Sequence, residues 1–206
     1  MGLQKALAEG IDDLQLTASS DQQKKLLTLL EQLIKWNKSY NLTAIKDPME
    51  GLTLHLLDSL AVVPFIQQQS ILDVGTGAGF PGLPLAIMLP QVRFTLLDSN
   101  SKKIRFIHQQ IHLLGLDNVE AIHSRVEQPR EERFEAIISR AFASIQDMLQ
   151  LTEHLLQQDG RWLLMKGQYS EQEISNLSGK ANQIACHTLQ IPGLPANRCL
   201  IELERA

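Results

Sequence analysis

The chain is poor in what several protein classes require. It has two cysteines in 206 residues, Cys186 and Cys199, with no metal-ligand spacing around them. Both lie in apolar, strand-like segments. Buried thiols are expected, and a disulfide would require those two segments to pair. No His/Cys/Asp/Glu cluster suggests a metal site. No apolar run approaches the roughly 20 residues of a membrane span. Met1 to Gly10 lacks the apolar core of a signal peptide, so a cytoplasmic protein without a membrane partner is expected. Positive charge is not in excess: 19 Lys and Arg face 23 Asp and Glu, a formal net charge of -4. A protein gripping nucleic acid by bulk charge is therefore excluded, and any such contact must come from local patches. The length and 44% hydrophobic content do allow one well-cored domain with room for an extension.

The most informative stretch is Ile71 to Gly82. An apolar run ends in Asp73 and breaks into glycines at Gly75, Gly77, Gly79 and Gly82. A strand, a glycine turn and a helix start form the front half of a βαβ nucleotide site. Glycines let backbone approach a ligand without an intervening Cβ. Pro81 and Pro84 suit a helix's first turn. Two registers compete. Gly77 to Gly82 fits the dinucleotide pattern G-x-G-x-x-G, which would suit an NAD-dependent oxidoreductase. Asp73 to Gly79 fits D-x-G-x-G-x-G, the pattern of S-adenosylmethionine (SAM) sites. The second is preferred because it gives Asp73 a role. A carboxylate there can meet the positive ammonium and sulfonium end of SAM, whereas it would repel a pyrophosphate.

Residues 1–69 read as a helical extension and residues 70–206 as the ligand-binding domain. Ser19 or Ser20 is expected to cap a helix carrying Leu26, Leu29, Leu30, Leu33 and Ile34, with Lys24, Lys25, Lys35 and Lys38 on it. Asp47-Pro48 opens another helix, on which His55 and Asp58 read as a surface hydrogen-bonded pair. From Ile71 strands and helices alternate, with strands at 71–74, 92–98, 119–123, 134–139 and 160–167. A helix follows strand four, with Leu155 and Leu156 on its apolar face, and another short helix spans 171–177. Segments 184–191 and 199–203 close the chain as an antiparallel hairpin. This is an α/β, Rossmann-like fold: a seven-stranded, mostly parallel sheet with helices on both faces. Gly75, Asp98, Val126 and Arg140 all fall at carboxyl ends of strands, where such sheets bind ligands. Asp98, 19 residues after Gly79, is placed for ribose hydroxyls, and Glu127 for the adenine base.

Methyl transfer from SAM needs mainly alignment, because the cofactor carries its own leaving group. The segment after strand four, Ser139-Arg140-Ala141-Phe142, lacks the motif for exocyclic amino methylation and lacks a nucleophilic cysteine. A ring nitrogen with a free lone pair, such as guanine N7, fits so sparse a site. Arg140 suits either the SAM carboxylate or guanine O6 and N7. A SAM-sensing or RNA-binding module without catalysis would show the same residues, so it stays open at this level, beside the oxidoreductase.

The chain resembles the RsmG (GidB) small-subunit rRNA guanine-N7 methyltransferases. The likeness rests on Trp36 to Thr43, His55 to Ser59, Asp73 to Pro84, Leu96 to Ser99, Arg125-Val126-Glu127, Ile138 to Ala143 and Lys166-Gly167. It implies methylation of N7 of one guanine in the decoding-region loop of 16S rRNA. The substrate would be presented within the small ribosomal subunit, SAM would be the cofactor and S-adenosylhomocysteine the product. The family's cofactor contacts fall on Gly75, Phe80, Val126, Glu127 and Arg140. Asp73, Gly77, Gly79 and Asp98 join them from the motif and spacing. Arg140 and Lys166 are candidates for positioning the target. Lys102, Lys103, Arg105, Lys166 and Arg198 are candidate RNA contacts. A monomer is expected. The segment from Pro192 to Arg198 lacks the Tyr-Pro-Arg run of many members.

Overall fold

A computed structural model describes residues 2–140, 144–167, 173, 177, 179 and 181–206. The N-terminal third is helical, as its leucine spacing requires. Helix α1 spans Leu3–Asp13 and α2 spans Ser20–Tyr40. Ser19 caps α2 through a capping box with Gln22. The same Gln22 donates from Nε2 to the carbonyls of Ile87 and Met88 at 3.0 and 3.2 Å. One side chain thus starts α2 and ties it to the main sheet's first helix. Helix α2 stops at Asn41, whose left-handed backbone (φ 51°) closes its last turn.

Asp47 caps α3 (Pro48–Gly51) by accepting from the amides of Met49 and Glu50, both at 2.9 Å. A π-helical turn, Leu52–Leu57, follows and runs into α4 (Asp58–Leu60). His55 and Asp58 therefore do not form the expected surface pair. Both are buried, and they face inward toward strand ends.

The sheet has seven strands: β1 (Ser70–Val74), β2 (Arg93–Asp98), β3 (Val119–His123), β4 (Phe134–Ser139), β5 (Leu156–Lys166), β6 (Ala181–Leu189) and β7 (Arg198–Arg205). Their order is β3-β2-β1-β4-β5-β7-β6. The first five strands are parallel, and β7 runs antiparallel between β5 and β6. Strand β5 starts earlier than its apolar run suggested: Leu155 and Leu156 leave the helical register, and Leu156 pairs with Phe134. Glu171 to Leu177, read as a short helix, lies mostly outside the described residues, as do Ala141, Phe142 and Ala143.

Alternating side chains feed two cores. Ile71, Phe94, Leu96, Ile138 and Leu163 face α1, α2, α5 (Gly82–Met88) and α6 (Ser101–Leu114). Leu72, Val74, Ile137, Trp162 and Leu164 face α7 (Ile145–Thr152). Leu7, Leu26, Leu30 and Leu56 of the N-terminal third share the first core with the sheet. The chain reverses direction of travel between β1 and β4, which opens the crevice of a doubly wound sheet at their carboxyl ends.

Candidate functional site

The glycine turn after β1 is built by Asp73. Its carboxylate is fully buried, and Oδ2 accepts from Thr76 Oγ1 at 2.6 Å and from the Gly82 amide at 2.8 Å. Burial pushes its pKa up to about 6, against those two hydrogen bonds and the charge of Arg140, which pull it down. The carboxylate expected to face a ligand is thus committed to holding the turn from beneath. The amides of Gly75 and Thr76 bind the Leu97 carbonyl, which ties the turn to β2.

The glycines serve two ends. Gly75, Gly77 and Gly79 all have positive φ. A Cβ on Gly79 would collide with Leu83, and one on Gly82 would meet Asp73 Oδ2 and Leu96 Cγ at 2.8 Å. Those two permit close packing. A Cβ on Gly75 would meet no atom within 4 Å and would stand free beside a cavity that Gly75 lines. This division favours the register from Asp73 to Gly79 over the dinucleotide register, whose last two glycines face packing.

That cavity, about 330 Å³, is lined by Val74, Gly75, Leu97, Asp98, Arg125, Val126, Glu127 and Leu151 among others. Asp98 Oδ2 accepts from the Gly77 amide at 2.9 Å and Oδ1 from the Asn100 amide at 2.8 Å. Each oxygen keeps a second lone pair. An oriented acid, an open backbone position and an apolar wall suit a nucleoside, with ribose on Asp98 and the base against Val126 and Glu127. By this test the residues fit SAM.

A second cavity, about 370 Å³, lies at the ends of β4 and β5. Its walls include Ile45, Leu54, His55, Asp58, Arg140, Met165, Lys166, Arg198 and Cys199. Arg140 Nη1 donates to the Leu54 carbonyl at 2.9 Å and to Asp58 Oδ2 at 3.0 Å. Arg198 Nε lies 3.3 Å from Asp58 Oδ1. Lys166 Nζ pairs with Glu173 Oε1 at 3.0 Å. Three cations thus face two carboxylates, in contrast to the chain's overall acidity. His55 bonds Thr43 Oγ1 through Nε2 at 3.0 Å and stacks on Phe80 with centroids 4.8 Å apart. The Arg140 guanidinium sits 5.8 Å from the Phe80 ring centroid. Burial, then the Arg140 charge, lowers the His55 pKa to about 4, so the ring is neutral near pH 7.

Of the residues expected to bind cofactor, Gly75, Asp98, Val126 and Glu127 line the first cavity. Asp73, Gly77 and Gly79 shape its turn. Arg140 lines the second cavity instead, where Lys166 and Arg198 also stand, and Phe80 is buried, stacked on His55 and near the Arg140 guanidinium. Lys102, Lys103 and Arg105 sit apart, on the first turns of α6, with Lys103 Nζ near the glycine turn. Asp58, Thr43 and His55 were not expected at the site. Their signals were a His and an Asp three apart inside a leucine-rich helix, and the place of all three in stretches that carry the family resemblance. Cys186 and Cys199 lie on paired strands as free thiols, and burial followed by the adjacent Cys186 raises Cys199 to about 11. No group of metal ligands occurs among the described residues, and none of their helices is long and apolar enough to cross a membrane.

Residues 22–201 match the family model described as rRNA small subunit methyltransferase G (GidB). A protein named ribosomal RNA small subunit methyltransferase G from Psychromonas ingrahamii is 44% identical over 206 residues, covering all of both chains. A protein of the same name from Ectopseudomonas mendocina is 49% identical over 203 residues, covering 97% of this chain and 95% of its own. Among solved structures, TrmN from Thermus thermophilus superposes with a TM-score of 0.57 at 17% identity, over 72% of this chain and 48% of its own. A SAM-dependent methyltransferase from Aquifex aeolicus gives 0.57 at 15%, over 76% and 93%. These two likenesses establish the fold, Rossmann-like and shared with methyltransferases.

Proposed function

The chain belongs to the rRNA small subunit methyltransferase G (GidB) family, a SAM-dependent rRNA methyltransferase by that membership, and we propose that it methylates N7 of one guanine in the decoding-region loop of 16S rRNA. The observation that carries the reading is the presence of two unlike cavities at the carboxyl ends of the parallel strands. One is a nucleoside cavity with an oriented acid. The other is a cation-rich cavity walled by His55, Arg140, Lys166 and Arg198.

Gly75, Asp98, Val126 and Glu127 hold SAM in the first cavity. Asp73, Gly77 and Gly79 keep the turn in shape, and Arg140 stands in the second cavity, its guanidinium near the Phe80 ring. When bound, SAM supplies a methyl group on a sulfonium that needs no activation by the protein. The work of the chain is alignment and exclusion of water. Guanine N7 presents an in-plane lone pair and carries no proton, so no general base is required. Arg140 and Lys166 position the base and its neighbouring phosphate, and His55, stacked on the buried Phe80, forms part of the cavity wall. A neutral His55 can accept or donate one hydrogen bond without adding charge beside Arg140. The acid partners Asp58 and Glu173 hold the two cations in place until RNA arrives.

Residues 1–69 act as an extension that completes the second cavity of the 70–206 unit. Lys102, Lys103, Arg105 and Arg198 extend the RNA contact outward. The substrate is the RNA within the small subunit, where ribosomal architecture presents the loop to an acidic enzyme. The enzyme acts as a monomer in the cytoplasm.

The test is transfer of labelled methyl from SAM to small subunits from a strain lacking this gene, with nucleoside analysis of the product. Label in 7-methylguanosine of 16S rRNA is expected. SAM binding without any transfer would refute the assignment.

A further inference from the structure

A third cavity, about 340 Å³, lies outside both sites, on the N-terminal extension. It is lined by Ile34, Asn37, Lys38, Asn41 and Lys46. Ile34, Lys38 and Asn41 fall at i, i+4 and i+7 of α2 and its cap, so they share one helix face. Lys46 comes from the loop that follows. Neither lysine forms an ion pair among the described residues.

The loop that carries Lys46 is fixed. Asn37 is buried and holds it from below, donating to the Ile45 carbonyl at 3.2 Å and accepting from the Thr43 amide at 2.9 Å. Thr43 in turn bonds His55. Ile45 lines the second cavity and Lys46 the third. Consecutive Cα atoms are about 3.8 Å apart, so the two cavities lie on either side of one rigid loop. The helix end contributes partial negative charge there, about half a unit, which two full positive charges exceed.

We propose that this cavity binds a backbone phosphate of the substrate RNA next to the target nucleotide. Lys38 and Lys46 supply the charge, and Asn41 supplies an unused carboxamide. The inference rests on the proposed RNA substrate and deepens it. A base entering the second cavity leaves its strand crossing the 41–47 loop, and the adjoining phosphate meets Lys38 and Lys46 on that loop's far side. A protein of net charge -4 needs such local sites to hold a polyanion.

The test compares the full-length parent with a Lys38→Ala/Lys46→Ala double variant. Binding to small subunits from a strain lacking this gene is measured by filter retention from low to high salt. SAM affinity and melting temperature are measured alongside. Loss of one neutralised phosphate on a single strand lowers the slope of log K against log salt by about 0.7, so the double variant loses about 0.7 and binds about fivefold more weakly at moderate salt. SAM affinity and melting temperature stay at the parent's values. An unchanged slope overturns the proposal, whether or not the melting temperature falls. Methyl transfer by the parent is scored separately. Its failure would remove the function proposed above, while the slope would still report on the phosphate contact.

Discussion

Two buried ionisable side chains, His55 and Asp73, make stability depend on pH in opposite senses. His55 titrates near 6.5 when unfolded and near 4 when folded. Between those values the unfolded chain holds the extra proton, so its stabilising contribution is complete above about pH 6.5 and is lost as pH falls toward 4. Asp73 is raised from 3.8 to about 6. The folded chain keeps that proton, so its contribution is complete below about pH 4 and is lost as pH rises through 6. The two slopes oppose each other between pH 4 and 6. Chemical denaturation across that window should therefore show His55→Gln losing less stability than the parent on acidification. Asp73→Asn, which keeps an acceptor for Thr76 and Gly82, should lose more. Equal slopes in all three proteins would contradict the assignment.

Asp58 makes a second prediction at the same scale. It is 3% exposed and lies against two arginines, Arg140 just after β4 and Arg198 at the start of β7. Asp58→Ala removes the acid and leaves both guanidinium groups partly buried and uncompensated. A loss on the order of 3 kcal/mol is expected in urea denaturation. A loss under about 1 kcal/mol would place the pair among weak surface contacts.

Among the elements, the link between α2 and α5 is the most economical. Gln22 completes the α2 capping box and caps the α5 carbonyls at once. Gln22→Ala should cost more than Ser19→Ala, which is worth about 1 kcal/mol as a cap. Comparable losses for the two would show that the bond across to α5 contributes little. The cap was legible as Ser19 or Ser20 before a leucine-spaced run, of which Ser19 serves, and Asp47-Pro48 likewise announced α3. The parallel strands were legible because apolar runs between turn signals are distinctive. The π-helical turn was not. Leu52 to Leu57 carries ordinary helical spacing, and only the packing of His55 against Phe80 and the approach of Asp58 to Arg140 reveal its purpose. The early start of β5 was hidden too, since Leu156 fitted the apolar face of the preceding helix and the exposed Gln157, Gln158 and Asp159 carry no apolar strand signal.

On the scale of the whole molecule, the glycine motif borders a cavity of nucleoside size, and Asp98, Val126 and Glu127, expected at strand ends, line the same cavity. What the motif could not tell is that its own acid is spent on the turn, because a buried carboxylate and a ligand-facing one look alike in a sequence. Nor could it place Arg140, because the partner that holds it, Asp58, arrives from 82 residues earlier in the chain. On the proposed reading two functions divide between two places: SAM in the cavity of Asp98, RNA in the cavity of Lys166. Calorimetric titration of SAM into Asp98→Ala and Lys166→Ala, with subunit methylation measured in parallel, tests that division most directly. Loss of a charged hydrogen-bond acceptor should weaken SAM binding by Asp98→Ala about tenfold or more, while Lys166→Ala binds SAM as the parent does and methylates subunits poorly. Parent-like SAM affinity in a folded Asp98→Ala protein would contradict that division.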